Sequence, residues 1–278
     1  MIMIMIMIMI MIMICPGVDI SSPELPACEE YQEPDPLLQA TVSLMSGGGV
    51  GVGDSLDQLD TSLVLSTCRA DGRLLLPERP LTATPLQLQR MAASCEPSLP
   101  HSCIGEVWSG HSLVDNQFFG HLLIHENSGE REGDTEPVSV HLLGLKAMFL
   151  HSTCSVVYTV GQDHQVSLLD SVCSDSGQEE IWLPVQGEGE WSLVHTSPKL
   201  PLLPGNLSLA LLGELGKINP LSGVRLASIS VGERSVSVGL LCSPGQRENI
   251  NLTWLISPTD FDQATVANIQ YSGLTSTP

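Results

Sequence analysis

Several stretches of the chain place apolar residues at every second position. Val156, Tyr158 and Val160 form one such series, and Val236, Val238 and Leu240 form another around Ser237 and Gly239. Ile250, Leu252, Trp254 and Ile256 alternate with polar partners that include Asn251 and Thr253. A period of two belongs to a strand with one face buried and the other solvated, the habit of antiparallel sheets. Similar short runs lie at 106–114, 118–126, 138–145, 147–153, 164–170, 179–186, 207–213 and 225–231, separated by Gly, Pro or Asp turns. Roughly ten short strands punctuated in this way predict an antiparallel β-sandwich over residues 106–278.

Before residue 105 the period lengthens to three or four. Asp35-Pro36 supplies a helix cap and a proline at the first helical position. Leu37, Leu38, Thr41, Leu44 and Met45 then share a face, and Gly47 stands where a helix stops. A second helical pattern runs from Ser55 to Cys68 through Leu56, Leu59, Leu63 and Thr67, and the turn Ala70-Asp71-Gly72 ends it. A third starts at Thr84-Pro85 and continues to about Ala93. Between the first two lies SGGGVGVGD, residues 46–54. It is not a phosphate loop: the third glycine that GxGxxG requires is Val52 when counted from Gly47, and no Gly-Lys-Ser/Thr follows. Helix, Val50-Gly51-Val52-Gly53-Asp54 and helix read as one β/α unit with a short buried strand. Asp54 then stands at the strand's C-terminal end, where β/α barrels place substrate contacts.

Composition narrows the partners. The formal charge is −20, from 11 Lys and Arg against 31 Asp and Glu. That field repels nucleic acid, whose binding depends on basic contacts to phosphate, so nucleic-acid partners are excluded. Aromatic residues make up 4% of the chain, which leaves Leu, Val and Ile to build the core. Residues 1–14 are a strict Met-Ile alternation, and 15–34 are irregular and rich in Pro, Glu and Ser. The Met-Ile run is shorter than the roughly 17–25 residues of a spanning helix and lacks the basic flank of a secretory signal. A two-codon repeat carried into a reading frame accounts for it best, with an atypical signal or anchor as the alternative. Membrane association would rest on that run alone.

Candidate chemistry is sparse. None of the eight cysteines forms CxxC or a zinc spacing; Cys95 and Cys103 flank a proline-containing loop and are candidates for a local disulfide. Most of the other thiols are expected to be free and partly buried. Asn206 and Asn251 head Asn-x-Ser/Thr sequons and are candidate glycosylation sites, which favours an extracellular over a cytoplasmic setting. His121 and His125 would share a helix face within reach of one metal, but Phe118, Phe119, Leu122, Leu123 and Ile124 favour a strand. Four strand residues span about 13 Å, too far for both rings to bind one ion. No metal or other cofactor is expected. Trp108, Trp182, Trp191 and Trp254 could stack on sugar rings if exposed in a row, although Trp254 lies on the apolar face of its strand and is expected in the core.

The stretch from Ser46 to Pro85 nevertheless resembles the closing part of the (β/α)₈ barrel in α-galactosidase-like glycosidases, the branch that includes raffinose synthases. Its elements are Gly48-Gly49-Val50 with Asp54, Cys68, Asp71-Gly72-Arg73-Leu74-Leu75, and Pro77-Glu78-Arg79-Pro80-Leu81-Thr82. Glu106-Val107-Trp108, Gly120-His121-Leu122-Leu123 and Ala210–Lys217 are similar to the family's C-terminal sandwich. The resemblance spans about residues 40–270. It implies a barrel remnant at 35–105 ahead of the sandwich at 106–278, a carbohydrate partner, and Asp54 as a substrate-side residue. In that family both catalytic carboxylates are aspartates on earlier barrel strands, for which this chain has no counterpart upstream of Asp35. The expectation is a catalytically inactive C-terminal fragment of a glycoside hydrolase-like protein. The alternative is a secreted β-sandwich module that binds carbohydrate or protein.

Overall fold

The computed structural model describes residues 35–50, 59–84, 88, 106–125, 138–141, 154–161, 163–173, 180–183, 191–202, 207–243, 247–258 and 264–274. The fold is mainly β and sandwich-like, with antiparallel sheets and two short helices whose limits fall among the described residues. Helix α1 (Pro36–Met45) begins as its sequence requires: Asp35 Oδ1 accepts the Leu38 N–H at 2.9 Å and Pro36 fills the first turn. It ends at Gly47, whose φ of +75° lets Gly47 N–H reach the Leu44 carbonyl while Gly48 N–H reaches that of Ser43. Helix α2 (Thr61–Thr67) is shorter than the pattern from Ser55 suggests. Leu59 and Asp60 are not helical, because the Asp60 carboxylate turns back to accept the N–H groups of Ser62 and Leu63 and so caps the helix there. Residues 51–58 lie outside the described residues, as does the third helical pattern apart from Thr84 and Leu88.

The six-stranded sheet has the order β1 (Arg79–Ala83), β2 (Glu106–Val114), β3 (Gln117–His125), β8 (Trp191–Pro198), β5 (Cys154–Val160) and β6 (Val166–Cys173). The four-stranded sheet has the order β14 (Thr265–Leu274), β13 (Arg247–Pro258), β10 (Leu207–Gly213) and β9 (Leu200–Leu202). Two further pairs occur among the described residues: the hairpin β11 (Leu226–Val231) with β12 (Val236–Leu240), and β4 (Val138–His141) with β7 (Glu180–Leu183), which β5 and β6 separate in the chain. Three of the strands have the limits that alternation anticipates, 106–114, 207–213 and 236–240, and β3 is displaced by one residue from 118–126. Residues 142–153, which include another anticipated strand, lie outside the described residues.

The chain passes from one large sheet to the other at Lys199. β8 pairs with β3 and β5, and β9 starts one residue later and pairs with β10. Strands that switch sheets form the corners of such packings. β1 lies on the N-terminal side of residue 105 yet pairs with β2, so the six-stranded sheet takes a strand from that part of the chain.

Alternation along β2, β3, β5 and β8 defines one face of the six-stranded sheet. Val114, Phe119, Val156 and Tyr158 join the main core with Leu211, Leu212, Trp254 and Leu255 of the second sheet and with Leu226 and Ile229 of β11. Trp108, Leu123, Trp191 and Leu193 belong instead to a second cluster with Ala40, Leu44 and Met45 of α1. The same face therefore carries two apolar covers side by side: the second sheet at one end and the helical segment at the other.

Candidate functional site

Between the two covers runs a cross-strand row. Register aligns Gly110, His121, His195 and Tyr158 on neighbouring strands. His121 Nδ1 lies 2.9 Å from His195 Nδ1, and His121 Nε2 lies 2.9 Å from Ser112 Oγ. Asn219, from the loop at 214–225, donates through Nδ2 to Ser112 Oγ at 3.3 Å and to the Leu75 carbonyl at 3.0 Å. The Tyr158 ring lies 5.5 Å from that of His195, and its hydroxyl donates to the Leu212 carbonyl at 2.8 Å.

One proton arrangement uses each of these bonds in a single direction. Asn219 donates to Ser112, Ser112 Oγ–H donates to His121 Nε2, and His121 Nδ1–H donates to His195 Nδ1. Both rings are then neutral, as burial demands. Burial holds the pKa of His121 well below the usual 6.5, with further repulsion from His195 and His111, and brings that of His195 down to about 3. Burial also pushes the Tyr158 phenol well above 10. Serine beside histidine is a nucleophile–base pair by chemistry. Here Ser112 and His121 are 0% exposed and His195 is 2% exposed, so a substrate does not reach them. The row is a polar seam that joins two apolar packings.

His121 was singled out in the sequence beside His125, and the structure gives it a different neighbour. β3 is a strand through both residues, so they lie four strand positions apart, and His121 turns to His195, 74 residues away. No local pattern announces that pairing, because it depends on the register of β3 with β8. Among the described residues no group of three or more His, Cys, Asp or Glu could hold a metal ion.

A second polar cluster lies at the turn 68–74. The Arg225 guanidinium donates through Nε to Glu214 Oε2 at 3.0 Å and through Nη1 to Glu248 Oε2 at 2.9 Å and the Leu241 carbonyl at 3.1 Å. Glu248 also accepts from Ser243 Oγ and N–H and from the Ala70 N–H. Burial alone would raise its pKa; the bonds from Ser243 and the Arg225 charge outweigh that and hold it at about 2. Arg69 donates to Asp71 and to the Val224 carbonyl. The Cys242 thiol beside this cluster is pushed up by burial and by the Glu248 charge, which leaves it protonated and a poor nucleophile.

The loop at 214–225 thus grips the chain from the end of α2 to Leu76. Lys217 Nζ donates to the Leu65 and Cys68 carbonyls, and Ile218 N–H donates to Ser66, so the C-terminal end of α2 is capped from a distant part of the chain. Asn219 bonds the Leu75 carbonyl and Ser222 Oγ the Leu76 carbonyl. The sequence contains these residues without any sign of this use.

Neither a protein-family model nor a curated protein matches the sequence.

Asp54, Asn206, Cys95 and Cys103 lie outside the described residues. Asn251 is exposed on β13. Of the other cysteines, Cys154 and Cys173 form a disulfide across the β5–β6 hairpin, a pairing that alternation did not reveal because the two lie 19 residues apart around a turn. Cys68 is a buried free thiol and Cys242 a half-buried one. Trp254 is in the core, as its strand position implies. Trp108 and Trp191 are half-buried against the α1 cluster, and Trp191 Nε1 donates to Asp35 Oδ2 at 2.6 Å.

Proposed function

We propose that this chain is the non-catalytic C-terminal portion of a glycoside hydrolase-like protein, in which a β-sandwich holds the last β/α elements of a barrel. The observation that supports this reading is the clasp made by the loop at 214–225. Four donors, from Lys217, Ile218, Asn219 and Ser222, make five hydrogen bonds to carbonyls of residues 65–76. A sandwich that spends its buried polar groups on a helix and the turn after it is suited to a supporting role beside a barrel. The Ser112–His121 pair, sealed from solvent, offers no alternative catalytic centre. The carbohydrate-binding alternative needs a row of exposed tryptophans. Trp254 is buried, while Trp108 and Trp191 pack under the helical segment, so these three tryptophans lend it no support.

The test is hydrolysis of aryl α-galactosides by the purified chain, with glycan-array binding measured in parallel. No release of the aryl group above buffer and no saccharide binding are expected. Turnover that disappears in Asp54→Asn would overturn the proposal. Saccharide binding lost in both Trp108→Ala and Trp191→Ala would transfer the assignment to the binding module.

A further inference from the structure

We propose that Asn251 carries an N-linked oligosaccharide, added in an oxidising secretory compartment, and that this glycan shields the edge strand β14. Neither the glycan nor its role depends on the glycosidase-like reading.

Asn251 heads the sequon Asn251-Leu252-Thr253 on β13. Its strand alternates sharply, with Glu248, Ile250 and Leu252 buried and Asn249 and Asn251 exposed. Pairing with β10 extends only to Thr253, whereas pairing with β14 continues to Arg247. Asn251 therefore stands on the outer face of a two-stranded ribbon that projects past β10. The Cys154–Cys173 disulfide is the second observation, since such bonds persist in the compartments where N-glycans are attached. In the folded chain Thr253 is buried and its hydroxyl donates to Asn268 Oδ1 at 2.7 Å. The sequon is thus read before β13 and β14 pair.

The chemistry is a group transfer. Asn251 Nδ2 attacks the anomeric carbon of a polyprenyl-diphosphate-linked oligosaccharide. The N–C bond forms, the C–O bond to the diphosphate breaks, and the amide nitrogen gives up one proton.

β14 explains what the glycan does. It ends the order of its sheet, and residues 264–278 contain no charged side chain. Val266 is 45% exposed and Ile269 is 60% exposed. A ten-residue uncharged edge of this kind is a template for pairing with a second chain, a hazard that edge strands usually counter with charge, proline or a cover. Asn251 pairs directly with Gln270, and Val266 lies on the same face of the ribbon. Ile269 pairs with Leu252 and lies on the opposite face, so a bulky solubilising glycan at Asn251 protects the edge from the Val266 side and blocks approach of a second strand there.

The test is expression of the full chain in cultured animal cells, followed by glycan release by peptide N-glycosidase in heavy-oxygen water and peptide mapping. A heavy-oxygen aspartate at position 251 is expected, together with loss of one glycan step in Asn251→Gln and its retention in Asn206→Gln. Unmodified Asn251 in the recovered protein overturns the site. Enzymatic removal of the glycan from the folded protein is expected to move it from monomer to larger species in sedimentation velocity. A deglycosylated protein that remains monomeric overturns the shielding role.

Discussion

His195 shows how far one side chain can be committed by its surroundings. In the unfolded chain it titrates near the ordinary 6.5, whereas in the fold burial lowers it to about 3, and His121 is lowered well below 6.5 for the same reason. Below pH 6.5 the unfolded chain therefore binds protons that the folded one refuses. The contribution of both is fully present above pH 6.5 and is lost as pH falls below it, for His195 through the window down to about 3. The slope is roughly 1.4 kcal/mol per pH unit for each histidine. Glu248 is depressed from 4.5 to about 2, so its own contribution is present above pH 4.5 and lost below it. The interval from 6.5 to 4.5 thus isolates the histidines. Urea unfolding across it should show stability falling with acidity, and His195→Gln should flatten that slope by roughly 1.4 kcal/mol per pH unit. An unchanged slope in the variant would show that His195 is not held neutral. In the sequence, His121 drew notice for its spacing to His125 and His195 drew none. The neighbour that matters comes from strand register, which no local pattern encodes.

At the scale of elements, the sequence located strands of two kinds: β3 and β5, which are buried at consecutive positions and so on both faces, and strands such as β12 with wetter surroundings. β12 is half-buried or exposed along its length, and its limits match the pattern. β8 is buried at five consecutive positions, including His195, Thr196 and Ser197, so polar residues break its apolar run and hide it. β14 escapes for the opposite reason, since its apolar residues face outward. β1 begins Arg-Pro, which reads as a loop until β2 supplies its partner. The β5–β6 hairpin carries a further device in the Cys154–Cys173 bridge, which closes a loop of 19 residues. By loop-closure entropy it should contribute about 3 kcal/mol. The double variant Cys154→Ser/Cys173→Ser is expected to lower the unfolding free energy in denaturant by that order with the sheet otherwise intact. A change below about 0.5 kcal/mol would mean that the hairpin is equally constrained without it.

Across the whole molecule, the helical segment and the sandwich are one structure because buried charge and hydrogen bonds cross between them. Arg225 is 3% exposed and holds both Glu214 and Glu248, while Glu248 also takes the Ala70 N–H. Arg225→Leu leaves two carboxylates without their cation and should cost about 3–5 kcal/mol. Unfolding of the variant at pH 7, followed by fluorescence and by hydrogen exchange of α2, should remain a single transition at lower denaturant. Separate transitions for α2 and the sandwich would show that the two segments fold independently.

Periodicity was enough to specify a mainly β, antiparallel chain with a helical start, since burial of one face per strand or helix writes itself into residue order. The caps at Asp35 and Gly47 were legible because they act within four residues. The seam at His121 and His195, the Arg225 cluster, the clasp from Lys217 to Ser222 and the Cys154–Cys173 bridge were not. Each joins residues from different elements, and the distances that make them bonds come from sheet register and from the way two covers share one face. Local order records which side of an element is apolar; packing alone determines which polar groups meet inside.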